Sequence, residues 1–103
     1  MRASLRQDGA MTTLFDAPSH WTSHNDRITA RFATKDFATG LKFVNLIGAS
    51  AEDANHHPDI ELTYSLTTVT LTSHDVGAVT ERDISLARII DEHAKALGIT
   101  PKE

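Results

Sequence analysis

Residues 52–74 read Glu52-Asp-Ala-Asn55-His56-His57-Pro58-Asp-Ile60-Glu-Leu62-Thr-Tyr64-Ser-Leu66-Thr-Thr-Val69-Thr-Leu71-Thr-Ser-His74, and the change of rhythm inside this stretch decides the fold. Ahead of it, Phe37, Leu41, Val44, Ile47 and Ala51 recur three or four apart, the spacing of an amphipathic helix. Beyond Pro58 the period shortens to two. Ile60, Leu62 and Tyr64 alternate with Glu61, Thr63 and Ser65, and Val69 and Leu71 alternate with Thr68, Thr70 and Thr72. The β-branched density supports two strands. Pro58 disfavours helical geometry at His57, so the helix is predicted to stop at Asn55 or His56, with Thr34 or Asp36 capping its start. The turn between the strands is expected around Ser65–Thr67, where no Gly, Asn or Asp fixes the register.

Working outward, a second helix follows Asp75-Val76-Gly77. Thr80 and Asp83 resemble a capping box with Asp in place of Glu. Leu86, Ile89, Ile90, Ala94 and Leu97 mark its expected buried face, and Gly98 and Pro101 its stop. Upstream, Trp21–Arg27 and Ile28–Ala33 fit a hairpin around His24-Asn25-Asp26. Earlier still, Leu14-Phe15 offers only a short helix, limited by Pro18. The expected class is α+β: a four-stranded antiparallel sheet with helices on one face, in the order α-β-β-α-β-β-α, the first helix short or missing. Residues 1–13 read as a polar tail, in which Met11 is an alternative start, and residues 14–98 as a single domain.

The same stretch carries the chemistry. Three of the six histidines lie between His56 and His74. Histidine alone among side chains titrates near neutrality unperturbed, at about 6.5, so a cluster of them beside a carboxylate suits proton transfer. A helix running to His56 sets Glu52 and His56 at i and i+4 on one face, where Glu52 would raise the pKa of His56. His57, extended, points elsewhere. Alternation puts His74 on the threonine face, although a bulge at the strand end could re-aim it. Arg82, in the first turn of the second helix, can pair with a carboxylate or bond a heterocycle carbonyl.

Glu52, His56-His57-Pro58, Tyr64, His74 and Asp83, at these spacings, resemble the signature of the pterin-4a-carbinolamine dehydratases. The likeness runs from about Trp21 to Ala94. It implies a hydro-lyase that dehydrates 4a-hydroxytetrahydropterin, left when an aromatic amino-acid hydroxylase has used its cofactor, to quinonoid dihydropterin in tetrahydrobiopterin recycling. By that resemblance His56 and His74 form the acid/base pair, and His57 mainly holds the pterin. Glu52, Pro58, Arg82 and Asp83 line or support the pocket. The resemblance implies no metal or organic cofactor and a homodimer or homotetramer. It also leaves open a non-catalytic binding, assembly or dimerisation role on the same fold.

Plainer readings stand beside these. Asp83 has a purely capping role available, Tyr64 suits core or interface, and Trp21 suits half-buried packing. His20, His24 and His93 read as surface residues. Three histidines with Glu52 can in principle hold zinc, but adjacent histidines seldom converge on one ion. A chain of 103 residues buries somewhat over about 60% of its unfolded surface, which leaves little to spare. The net charge of −4 argues against a nucleic-acid partner. No run of about twenty apolar residues spans a membrane, no signal-peptide core opens the chain, and cysteine is absent. Cytoplasm is the default expectation.

Overall fold

Asn25, with φ of 55°, turns the chain tightly between β1 (Thr22–His24) and β2 (Arg27–Ala33), as a left-handed Asn does in a short hairpin. The computed structural model describes residues 18–102; the expected polar tail and short first helix lie outside them. The chain continues through α1 (Phe37–Ala54), β3 (Asp59–Leu62), β4 (Leu66–Leu71), α2 (Glu81–Ala96) and β5 (Thr100–Pro101). The strands form one antiparallel sheet in the order β1-β2-β4-β3, with β5 also on β2. β4 occupies one edge of β2 from Ile28 to Ala33. β5, opposite Phe32 and Ala33, therefore shares the other edge with β1.

One face of the sheet is apolar. Ile28 faces Leu71, Ala30 faces Val69 and Phe32 faces Thr67 across the β2–β4 register, and all six are buried. Both helices pack on this face, and Phe43, Ile47, Ile84, Leu86, Ala87, Ile90 and Ala94 complete a single core with it. Phe32 and Phe43 meet edge to face, 4.9 Å between centroids, a geometry favoured by the ring quadrupoles.

Several expectations need correction. The sheet has a fifth strand: Gly98, at φ of 71°, turns the chain after α2 so that Thr100–Pro101 joins β2. The sheet therefore reaches beyond residue 98. The buried stripe of α1 is Gly40, Phe43, Ile47 and Ala51, while Phe37 and Leu41 are nearly half exposed. The helix carries apolar residues on two stripes, and spacing alone does not say which one meets the sheet. Ile89 is likewise exposed on α2, where Ile84 and Ala87 are buried instead. The β3–β4 turn comes earlier than expected, over Thr63–Ser65, closed by the Thr63 N–H on the Leu66 carbonyl at 2.9 Å. Tyr64 is consequently 70% exposed rather than in a strand.

Trp21 is a core residue, not a half-buried one. His20 is no surface residue either. Its Nε2 lies 2.8 Å from Asp91 Oδ1, which also accepts the Trp21 indole N–H at 3.1 Å, so the first hairpin is tied to α2. His93 pairs with Ser50 at 2.7 Å, joining the two helices. His24 is exposed, as expected.

Of the two candidate caps, Asp36 is the one used. Its Oδ1 accepts the Thr39 N–H at 2.8 Å, and that bond holds the carboxyl below its usual value of 3.8. A lowered native pKa stabilises the fold above the unfolded pKa, and the benefit fades as pH falls through the native one. In urea denaturation, Asp36→Ala is therefore expected to be less stable than wild type at pH 7, with the gap narrowing below about pH 4.

Gly40 lets α1 approach the sheet. A Cβ there would come 2.6 Å from Leu62 Cδ1 and 3.4 Å from the hydroxyls of Thr34 and Thr67. Gly40→Ala requires only the tip of Leu62 to swing. Gly40→Val presses branched methyls toward two buried threonines, and an overpacking cost of about 1–3 kcal/mol is expected in denaturant titrations.

Candidate active site

α1 ends on Asn55, which sits in the left-handed region (φ 50°, ψ 45°), a conformation Asn tolerates better than most residues. The His56 N–H then bonds the Ala51 carbonyl at 3.0 Å, the six-to-one bond of a Schellman ending. This reversal changes the pairing expected from an unbroken helix. His56 leaves the α1 face and turns toward the start of α2. The extended His57 comes back over Glu52, Nε2 to Oε2 at 2.7 Å. Glu52 therefore partners His57 and not His56.

His56 is 7% exposed, and its Nε2 lies 2.6 Å from Oδ1 of Asp83, which is fully buried. The other Asp83 oxygen accepts the Ser73 hydroxyl at 2.8 Å and the Thr80 backbone N–H at 2.9 Å. Ser73 Oγ also lies 2.7 Å from Thr80 Oγ1. The capping box forms, and the same carboxylate that closes it also holds the imidazole. Capping and site support are thus one structure rather than alternatives.

Ser73 was not singled out in the sequence. It continues the inward series Val69 and Leu71 past the end of β4 and is fully buried, so continued alternation was the available signal. The neighbouring His74 faces outward and is exposed, in a turn whose Gly77 N–H bonds the Ser73 carbonyl at 2.8 Å. His74 lies close enough to Asp26 to help hold that carboxyl below its usual value, behind the larger effect of the Arg27 hydrogen bond.

Beside His56 opens a cavity of about 270 Å³ whose lining includes His56, Glu81, Arg82, Ser85, Leu86 and Ile89. That is near the lower end, about 300 Å³, for small-molecule sites. Arg82 also bonds Asp75 at 2.8 Å, which holds the Asp75 carboxyl below its usual value. The structure thus brings together His56, Asp83 and Arg82. His57, His74 and Glu52 are exposed, Pro58 is half-buried, and none of these four lines this cavity. A larger cavity of about 440 Å³ lies further along α2 by Arg88, Asp91 and Lys95, but no histidine lines it. Among the described residues no group of three or more His, Asp or Glu is placed to hold a metal ion, and no helix is long and apolar enough to cross a membrane.

The sequence model described as "Pterin 4 alpha carbinolamine dehydratase" matches residues 3–93. The chain belongs to this family. A protein of Koribacter versatilis provisionally named pterin-4-alpha-carbinolamine dehydratase is 41% identical over 85 residues, covering 82% of this chain and 90% of its own. One of the same provisional name from Aquifex aeolicus is 43% identical over 77 residues, 75% and 78% of the two chains. The crystal structure of a transcriptional coactivator/pterin dehydratase from Brucella melitensis superposes with a TM-score of 0.70 at 35% identity, over 73% of this chain and 82% of the other. A pterin dehydratase-like protein identified as a RuBisCO assembly factor in the alpha-carboxysome shares the fold, at a TM-score of 0.60 and 21% identity over 72% and 86% of the chains.

The Asp83 geometry has a measurable consequence. A cap alone is worth about 1 kcal/mol, whereas each buried donor left unsatisfied costs about 1–3 kcal/mol more. Asp83→Ala is expected to show both costs in urea denaturation, with Thr80→Ala near that of the cap alone.

Proposed function

We propose that the chain dehydrates 4a-hydroxytetrahydropterin to quinonoid dihydropterin, with His56 as the central proton-transfer group. The observation that carries this reading is a buried imidazole, locked at one nitrogen by Asp83, at the wall of a cavity that also offers Arg82. In the reaction the bond from the 4a carbon to its hydroxyl breaks and a proton goes to the departing oxygen. A second proton leaves the adjacent ring nitrogen, whose electron pair closes the new double bond. Water and quinonoid dihydropterin result. Acid/base groups of this kind contribute about 10²–10⁴-fold each.

The roles of the residues outside this cavity follow the family resemblance: His74 shares the two proton transfers with His56, His57 holds the pterin, and Glu52 orients His57 through their hydrogen bond. Arg82 reaches a polar edge of the ring system, and Pro58 fixes the extended backbone that aims His57. The proposal extends to a cytoplasmic homodimer or homotetramer that supports an aromatic amino-acid hydroxylase in tetrahydrobiopterin recycling.

A second reading is a binding, assembly or dimerisation protein on the same fold. The observation that favours it is apolar surface: Phe37, Leu41 and Tyr64 are exposed, and one structural relative is named as an assembly factor. A spectrophotometric dehydration assay on freshly generated 4a-carbinolamine separates the two. Turnover well above the uncatalysed rate, lowered at least about ten-fold in a folded His56→Ala variant, is the expected result. Equal rates in the two proteins would leave the second reading.

A further inference from the structure

We infer that Ser73 is a positioning residue which, acting through Asp83, fixes the proton pattern of His56 and leaves Nδ1 as the nitrogen that exchanges protons with a bound ligand. The inference rests on the reading of His56 given above, and it adds a residue and a direction to it.

Ser73 has one hydroxyl proton, and it goes to Asp83 Oδ2. The short contact between the Ser73 and Thr80 hydroxyls must then use the Thr80 proton, with Ser73 accepting. Thr80 is free to donate because its oxygen meanwhile accepts the backbone N–H of Arg82. Asp83 Oδ2 also takes the Thr80 backbone N–H, which can only donate. Thr80, Ser73 and Asp83 thus form a chain of hydrogen bonds pointing one way, toward a carboxylate that acts purely as acceptor. With Asp83 ionised, its Oδ1 accepts as well, and His56 Nε2, 2.6 Å away, is the donor.

With Nε2–H spent on Asp83, a neutral His56 carries its lone pair on Nδ1. That nitrogen has no bonding partner among the described residues, and the ring lines the cavity. Nδ1 then carries the proton transfer that falls to His56, while Nε2 keeps its own proton throughout. An orienting partner that sets the tautomer of a reacting imidazole is a recurrent device. Here the partner is itself held by Ser73, which has no exposed surface and touches no ligand.

The test uses the full chain. Two-bond ¹⁵N–¹H correlation of the imidazoles, at a pH where His56 carries a single ring proton, is expected to show the Nε2–H form in wild type. Ser73→Ala, shown folded by circular dichroism, is expected to shift His56 toward a mixture of the two forms. It should also lower kcat by about ten-fold, the lower end for losing such a partner, with KM within about two-fold. Ser73→Thr restores a hydroxyl and is expected to restore both readouts. An Nδ1–H form in wild type overturns the inference whether or not any variant folds. So does an unchanged tautomer in folded Ser73→Ala. If wild type shows no turnover the functional reading fails, and the tautomer measurement alone then decides the role of Ser73.

Discussion

A carboxylate with no solvent exposure holds this molecule's two ends of chemistry together. Asp83 accepts from the end of α1 through His56, from the strand extension through Ser73 and from its own helix cap through Thr80. Burying such a charge is tolerable only when its lone pairs are satisfied, and these donors come from separate segments of the chain. The α1 reversal, the inward turn of Ser73 and the start of α2 are therefore coupled through one side chain. Geometry at the imidazole is set by the fold, not by local flexibility of a loop.

Much of this was legible from residue order. The switch of period at Pro58, the capping pair Thr80 and Asp83, and the Asn25 turn are local signals, and each reads directly. What stayed hidden depends on contacts distant in sequence. Nothing in the spacing of Phe37, Leu41, Phe43 and Ile47 tells which stripe of α1 meets the sheet. That choice is made where Gly40 admits Leu62. The left-handed Asn55 was a readable cue, because Asn before His-His-Pro invites a helix stop. Its consequence, that Glu52 faces His57, needs the three-dimensional path. The pairing of His20 with Asp91 spans most of the domain, and no periodicity encodes it.

Fold and site answer to different constraints. At 21% identity a protein named for assembly retains the architecture, so the architecture by itself does not select an activity. Reaction and binding roles place different demands on the surface. The proposed dehydration draws on the buried His56–Asp83 unit and a cavity of modest size. A docking role draws on exposed apolar side chains such as Phe37, Leu41 and Tyr64, which sit on α1 and the β3–β4 turn rather than among the cavity residues. One small domain has room for both without either using the other's residues.

The chain's only tryptophan sits at the joint between the first hairpin and α2, its indole nitrogen bonded to Asp91 and its ring edge against Phe32. An indole so placed makes a built-in optical probe. Its emission should redden when that joint loosens and water reaches it, without any dye or label. Because the cavity beside His56 borders the opposite end of the same helix, this signal reports on the scaffold while leaving the site untouched.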